Sequence, residues 1–488
     1  MLPPLPVLSE YGISPDYGFL PAQLPLERLP DPYYNKWEAI IANLQGLILS
    51  KRLRGVIERL PVLSTIGLEH DSEWRRAYSI LSFMAHGYIW GGDNPSERLP
   101  ASISVPFLQV SAYLEVPPVA TYAAVCLWNF KPLFADEHVD NLDNLATLTT
   151  FTGSIDESWF YLVSVAIEAR AAPILPIMLT AIDAARIDDS ITVTACLRSF
   201  AERLDDLGTL LQRMHESCDP HVFYHRIRPF LAGSKNMKEA GLSNGVLYQD
   251  ADGTETYRQY SGGSNAQSSI LQFFDIVLGI IHRPTGEKKD VVSGPQGKGL
   301  AFPPEHNFLL DMRNYMPGPH RRFLEDVTAV ANIREYIEAH QNNVGLTAAY
   351  DACLAMLQEF RNKHINIVTR YIILKTRETR SRSKSPEATR HKVNLATASR
   401  QDANDTTGKK QAKGTGGTAL LPFLKQARDE TGEPILSQWA KRVASREVNT
   451  RGQGDFFLGK LDEPVEEVDC GLAGTWTIDD SGGGLCHY

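Results

Sequence analysis

The sequence lacks a cysteine framework. Its six cysteines, at positions 126, 196, 218, 353, 470 and 486, are scattered over 488 residues with no C-x-x-C pair. Such spacing indicates neither a disulfide scaffold nor a zinc knuckle, and it points to free thiols in a cytoplasmic protein. Also missing is an apolar run near the roughly 20 residues that cross a bilayer, so no membrane is expected as a partner. The first ten residues hold no basic leader, and Pro3, Pro4 and Pro6 interrupt any apolar helix, so no secretion signal is expected. Nor is there a basic surplus. Lys and Arg number 49 against 58 Asp and Glu, a net charge of −9, which argues against nucleic acid as the main partner. What remains is an ordinary soluble composition, 43% hydrophobic and 22% charged, in a chain long enough for a large core.

Strand-like alternation is scarce as well. One stretch near 246–260, bounded by Gly245 and Gly253, predicts a short hairpin or a loop. Helical periodicity covers 36–60, 73–90, 119–130, 156–171, 174–186, 190–216, 221–232, 265–282, 304–314, 319–340 and 344–374, with a short amphipathic helix at 418–430. Pro100, Pro106, Pro117 and Pro118 mark breaks. Residues 1–35, rich in Pro and Tyr, are expected to lie extended over a surface. The expected class is all-α: a smaller, mostly helical N-terminal domain over 1–117 and a large helical domain over 118–443. Residues 375–413 carry eleven Lys or Arg against four acids and few large apolar side chains. They are expected to be a mobile basic loop inserted in the large domain. Residues 444–488, acidic and then Gly-rich, are expected to be a disordered tail, and Cys486 with His487 on it is read as no metal site.

Leu346, Tyr350, Cys353, Leu357, Phe360, His364, Val368 and Tyr371 recur at three- and four-residue steps, which predicts one shared helix face. His364 is therefore an imidazole on an apolar stripe. Two readings stand: a core histidine with a satisfied partner, the commoner fate, or an axial ligand to a large apolar cofactor such as haem. His221 and His225, one turn apart, have metal-compatible spacing but no acidic base between them. His320 follows Met316-Pro317-Gly318-Pro319 and reads as a structural contact at a helix start. Asp275, amid Phe273, Phe274, Ile276 and Val277, must pair or raise its pKa, and reads as bonded to an Arg or to a cofactor-supporting group. Gly262 to Ala266 precede a predicted helix and suit close backbone approach to an anion, but the P-loop lysine is absent.

Ordered segments then carry a resemblance. They are Ser104-Val105-Pro106-Phe107, Val116-Pro117-Pro118, Phe160-Tyr161-Leu162-Val163-Ser164, Arg228-Pro229-Phe230-Leu231-Ala232-Gly233, the stretch from Gly262 to Ser269, the stretch from Asp311 to Pro317, His320-Arg321, the stretch from His364 to Tyr371, and Gly414 to Thr418. In this order and spacing the chain resembles indoleamine 2,3-dioxygenase over roughly residues 10 to 440. The resemblance implies a haem-dependent dioxygenase of the fungal type. Its implied reaction adds both atoms of O2 across the indole C2–C3 bond of L-tryptophan to give N-formyl-L-kynurenine, the first step of tryptophan catabolism toward NAD. It implies one haem b per chain, active as ferrous, with the iron held by His364, an unidentified reductant, and a monomer.

Position by position, the resemblance implies further roles. Phe160 and Phe223 would contact the indole, Tyr122 would form another pocket wall, and Arg228 would bind the substrate carboxylate. Ser164 would stand near the iron-bound oxygen. Ser264 would lie near a haem propionate, with Ala266 beside the cofactor and Asn265 in place of a small Ala against the substrate. Thr415, in a Gly-rich lid, would approach the amino-acid end of the substrate. Ideal helix geometry places Arg228 roughly 140° around the axis from Phe223, so spacing alone does not join the two in one pocket. Val125 stands where some members place Cys, and Tyr224 where Phe is common, implying a pocket of different shape with a wetter edge. The changes at positions 125 and 265 keep one rival open, a haem-binding sensor or low-activity paralogue with little tryptophan turnover; a third reading is a helical scaffold without haem.

Overall fold

Three caps show why three of the long helices begin where they do. Ser154 accepts a hydrogen bond from the Glu157 backbone N–H at 3.3 Å, Asp189 from that of Thr192 at 3.1 Å, and Asn343 from that of Leu346 at 3.2 Å. Each satisfies one of the orphan donors of a first turn. The computed structural model describes residues 3–285, 307–382, 414–415 and 420–436, with the pairs 470–471 and 474–475. Its helices of eight residues or more are α1 (Asn35–Ala42), α2 (Asp71–Trp90), α3 (Ala101–Leu114), α4 (Ile155–Ala171), α5 (Ile174–Arg186), α6 (Ser190–Gln212), α7 (Ser269–Val277), α8 (Gly318–Val330), α9 (Val344–Val368), α10 (Leu374–Arg382) and α11 (Leu420–Thr431).

Among the described residues, strands form only antiparallel pairs. They are β1 (Phe130–Pro132) with β2 (Leu145–Thr147), β3 (Val246–Gln249) with β4 (Glu255–Arg258), and, within residues 442–488, Cys470–Gly471 with Gly474–Thr475. The class is all-α, as expected. The hairpin alternative at 246–260 is the one adopted.

The centre of the core lies between α6 and α9. Val193, Leu197, Phe200, Leu204 and Leu207 on α6 are buried, as are Leu346, Tyr350, Cys353, Leu354 and Leu357 on α9. Side chains of this size each contribute about 1.5–3 kcal/mol on full burial. The Cys353 thiol donates to the Leu197 carbonyl at 3.0 Å, so the small polar group facing α6 is satisfied. The periodic stripe read from sequence is thus buried at every position except His364, whose ring faces a cavity.

Residues 1–441 form one compact unit. The segment before residue 118 is bonded throughout to the helices and loops of the larger segment beyond it. Tyr78 Oη lies 2.7 and 2.8 Å from the carbonyl oxygens of Pro117 and Val119. Trp90 Nε1 donates to the Ala232 carbonyl at 2.9 Å. The Ala120 N–H donates to His86 Nε2 at 2.9 Å, which leaves the proton on Nδ1 to meet the Phe230 carbonyl at 2.6 Å. Burial pushes the His86 pKa down to about 4, so this bridge stays neutral. The Pro- and Tyr-rich start runs along α8, with Tyr11 edge-on to Phe323 at 5.4 Å and Phe19 at 4.9 Å from the His320 ring.

Several expectations are corrected. Pro106 lies inside α3 rather than ending a helix. It forfeits one backbone bond in the second turn, which burial of Ile103, Phe107 and Val110 outweighs. The helix after His364 continues as α10 to Arg382, eight residues into the stretch expected to be a mobile basic loop; residues 383–413 lie outside the described residues. So do most of residues 444–488, including Cys486 and His487. The predicted helix at 319–340 is two, α8 and a short one at Ile333–Ala339. The span Ile155–Arg186 is long and apolar enough by composition to cross a membrane, contrary to expectation, and 72% of its most apolar window is buried inside the protein.

Candidate active site

Three π-helical turns are described: Ala123–Leu127, Phe223–Ile227 and Thr369–Ile373. Each closes with an i→i+5 bond, from the N–H of Trp128, Arg228 and Leu374 to the carbonyl of Ala123, Phe223 and Thr369 respectively. Such wide turns are uncommon and cluster at functional sites. All three bring residues to one cavity. The first supplies Val125 and Cys126 with Tyr122 at its N-cap. The second supplies Phe223 with Arg228 at its C-cap, and the third Tyr371 and Ile372. The second turn also explains how Arg228 and Phe223 share a wall. An i→i+5 turn holds more residues per circuit than an α-helix, so the offset expected from ideal α-helix geometry shrinks.

His364 projects from α9 into this cavity, ringed by Leu357, Phe360, Ile365 and Val368. Protein surrounds it, yet the ring keeps accessible surface because it faces the open space. Burial, with Arg361 one turn away, pushes its pKa down to about 4, so the imidazole is neutral at ordinary pH. Among the described residues neither ring nitrogen has a hydrogen-bond partner, so the commoner reading, a satisfied core histidine, does not hold. A neutral imidazole aimed into an apolar cavity is what an axial haem ligand requires, and the residues present fit that group.

Aromatic rings form the opposing walls. Phe160 on α4 lies 4.8 Å from Phe223, tilted by 51°, and Phe223 meets Tyr371 edge-on at 5.8 Å. Arg228 lines the same cavity although it is only 3% exposed. Its guanidinium lies 5.8 Å from the Tyr224 ring centroid, within cation–π range. Burial lowers its pKa, and Tyr224 opposes that shift.

Two loops distant in sequence meet over the cavity. The Gly262 N–H donates to the Thr415 carbonyl at 3.1 Å, and the Thr415 hydroxyl donates to the Gly263 carbonyl at 2.7 Å. A Cβ at Gly262 would run into the Leu231 carbonyl oxygen, so only glycine fits where this loop passes the 231–233 segment. Ser264 caps the following turn, its hydroxyl accepting from the Ala266 N–H at 3.3 Å. Gln272 fixes the same loop, donating to the Ala266 carbonyl at 3.1 Å and accepting from Arg313 Nε at 2.8 Å. Gly414, Thr415, Ser264, Asn265 and Ala266 all line the cavity. Gly416 to Thr418 lie outside the described residues.

Ser164 is the exception among the predicted site residues. It is 7% exposed and does not reach the cavity wall. The Cys126 thiol does reach it; burial pushes that thiol's pKa well up, a shift that Ser164 only partly opposes. One turn further along α4, Glu168 accepts from the Tyr122 hydroxyl at 3.0 Å and from the Ser268 hydroxyl at 2.6 Å. Burial raises its carboxyl to about 7.

Sequence reasoning missed Cys126, Gln272 and Arg361 on the cavity wall. Arg361 had a signal, since it sits three residues before His364 at the edge of the stripe. It clasps Asp275 through both carboxylate oxygens, at 2.6 and 2.7 Å. The other histidines are structural. His320 lies 3.3 Å from the Ser269 hydroxyl, and burial holds its pKa at about 3. The His221 and His225 rings lie 4.4 Å apart, tilted by 46°, and no cluster of three metal-ligating side chains occurs among the described residues.

An all-α fold that turns one unpartnered imidazole into an apolar, aromatic-walled cavity defines the class, a haem-pocket protein with room for a flat ring. The comparisons agree. The family model of indoleamine 2,3-dioxygenase matches residues 7–434. An indoleamine 2,3-dioxygenase of Saccharomyces cerevisiae is 44% identical over 442 residues, covering 88% of this chain and 93% of the relative. One from Aspergillus nanangensis is 43% identical over 439 residues, covering 88% and 98%. A 6-hydroxytryptophan 2,3-dioxygenase of Fusarium equiseti is 36% identical over 428 residues, covering 88% and 98%. The chain belongs to the indoleamine 2,3-dioxygenase family. It is accordingly a haem dioxygenase, an oxidoreductase that acts on tryptophan-like substrates with O2.

Proposed function

We propose that the substrate is L-tryptophan and the product N-formyl-L-kynurenine, with a b-type haem held by His364. The observation that carries this reading is the combination in one cavity of a neutral imidazole with no hydrogen-bond partner among the described residues, two adjoining phenyl rings and a buried guanidinium. When bound in the ferrous state, haem supplies the dioxygen chemistry.

The protein's own groups do the rest. Phe160, Phe223 and Tyr122 form apolar walls that bury a flat indole and set its plane. Arg228 offers a planar two-donor fork to the substrate carboxylate, in a site dry enough to strengthen the pairing. Thr415 and Gly262, bonded to each other over the opening, exclude water. Ser264 and Ala266 border the haem side of the cavity, and Asn265 reaches toward the substrate. Chemistry is thereby reduced to holding the C2–C3 bond in place, the entropic part of catalysis.

One relative is named for 6-hydroxytryptophan, so ring-hydroxylated tryptophan is the competing substrate. Reduced, haem-loaded protein should convert L-tryptophan under 18O2 to N-formylkynurenine carrying both heavy oxygens. A kcat/KM that strongly favours 6-hydroxytryptophan over tryptophan would overturn the assignment.

A further inference from the structure

Tyr224 touches both halves of the site without lining its cavity. It is fully buried, at 0% exposure. Its ring lies beneath the Arg228 guanidinium, 5.8 Å from centroid to Cζ. Its hydroxyl lies 3.0 Å from Thr376 Oγ1 on α10. Thr376 donates its own proton back to the Ile372 carbonyl at 2.7 Å, so Tyr224 is the donor in that pair. Thr376 is itself buried, at 7% exposure, and stands three residues beyond the π turn that ends the His364 helix. The sequence predicts a wetter pocket edge from this hydroxyl; instead it is consumed inside the protein.

The consequence is mechanical. The π turn that presents Phe223 and Arg228 is tied to α10, the continuation of the His364 helix, by a buried hydrogen bond. A guanidinium held only by its own flexible stem would sample many rotamers and lose affinity for a carboxylate by that entropy. A fixed aromatic face beneath it removes part of the freedom, provided that the ring itself cannot turn away. The bond to Thr376 supplies that restraint.

We infer that Tyr224 is a positioning residue for substrate recognition, holding Arg228 toward the substrate's carboxylate by means of its hydroxyl bond to Thr376. This rests on the proposed role of Arg228. Tyr224 does not touch the reacting atoms, so it acts on affinity and leaves the chemical step alone.

The test uses haem-loaded full-length protein and two probes, L-tryptophan and tryptamine, the same ring system without the carboxylate. Tyr224→Phe removes one hydroxyl and should raise KM for tryptophan roughly three- to tenfold, the range for one neutral hydrogen bond, with kcat unchanged. Affinity for tryptamine, read as its inhibition constant against tryptophan, should not move. Thr376→Val should reproduce the effect, and the double variant should add nothing to it. Arg228→Ala is the control. If it leaves tryptophan KM unchanged or weakens both probes equally, the carboxylate reading of Arg228 fails. If it behaves as proposed but Tyr224→Phe and Thr376→Val leave KM unaltered, or weaken tryptamine as much as tryptophan, the present inference alone is overturned.

Discussion

Arg361 and Asp275 form a two-pronged ion pair, at 2.6 and 2.7 Å, one helical turn from His364. The pair is nearly dry, with side-chain exposures of 16% and 9%. Burial alone would raise the Asp275 pKa, but Arg361 and His282 outweigh it and hold the carboxyl below its ordinary range. His282 Nδ1 in turn lies 2.7 Å from Glu430 on α11, and Arg361 also bonds Thr431 there. The α11 helix, which comes just after the lid residues Gly414 and Thr415, is thus anchored to the helix that bears the imidazole.

Removing one partner of a buried pair strands the other charge. Arg361→Ala should therefore destabilise the fold by about 3 kcal/mol, toward the low end of the usual range because His282 still faces Asp275. Urea unfolding measures the loss, and amide hydrogen exchange should show residues 420–431 opening first. Unchanged protection there would show that the anchor does not operate.

Glu168 gives a pH prediction. Its native pKa, about 7, lies above the ordinary 4.5, mainly through burial. A carboxyl raised in this way contributes stability that is fully present below pH 4.5 and lost as the pH rises through 7. Glu168→Gln removes the titration. Wild type should lose on the order of 3 kcal/mol between pH 4.5 and 8 relative to this variant. Parallel stability curves for the two proteins across that window would refute the prediction.

Arg228→Ala should raise KM for tryptophan by the equivalent of about 2–4 kcal/mol, the range for losing a buried charge partner, with a smaller change in kcat. Steady-state kinetics decide it, and an unchanged KM removes Arg228 from carboxylate binding.

Thiol reactivity should follow burial. Cys126, Cys218 and Cys353 are buried and Cys196 is half-exposed. Burial raises the pKa of all four, and Cys196 is the least enclosed. Among these four, brief alkylation of the folded protein at pH 7.5 should label Cys196 first, as read by peptide mass analysis. Equal labelling of Cys126 would mean that the cavity wall around it opens readily.

The helical class and the His364 stripe were legible because apolar side chains on α9 repeat with the helix itself. The bond between Thr415 and Gly263 is not legible in the sequence, since no local pattern links residues about 150 positions apart. Arg228 was misplaced by ideal helix geometry because nothing in Phe223-Tyr224-His225-Arg226-Ile227 announces an i→i+5 turn. Ser164 is expected in the cavity but does not line it, because the resemblance fixes its helix but not which neighbouring side chains cover it. Pro106 was read as a break because its local cost is visible in sequence while the burial that offsets it is tertiary.

The central claim is that the imidazole at 364 holds the haem. The direct measurement is haem content and the ferrous absorption spectrum of His364→Ala beside wild type, each reconstituted with haemin and then given free imidazole. Wild type should bind one haem per chain. The variant should lose the haem or its normal Soret band, and regain it when imidazole fills the space left on α9. A variant that binds haem with an unaltered spectrum and no response to imidazole would contradict the account.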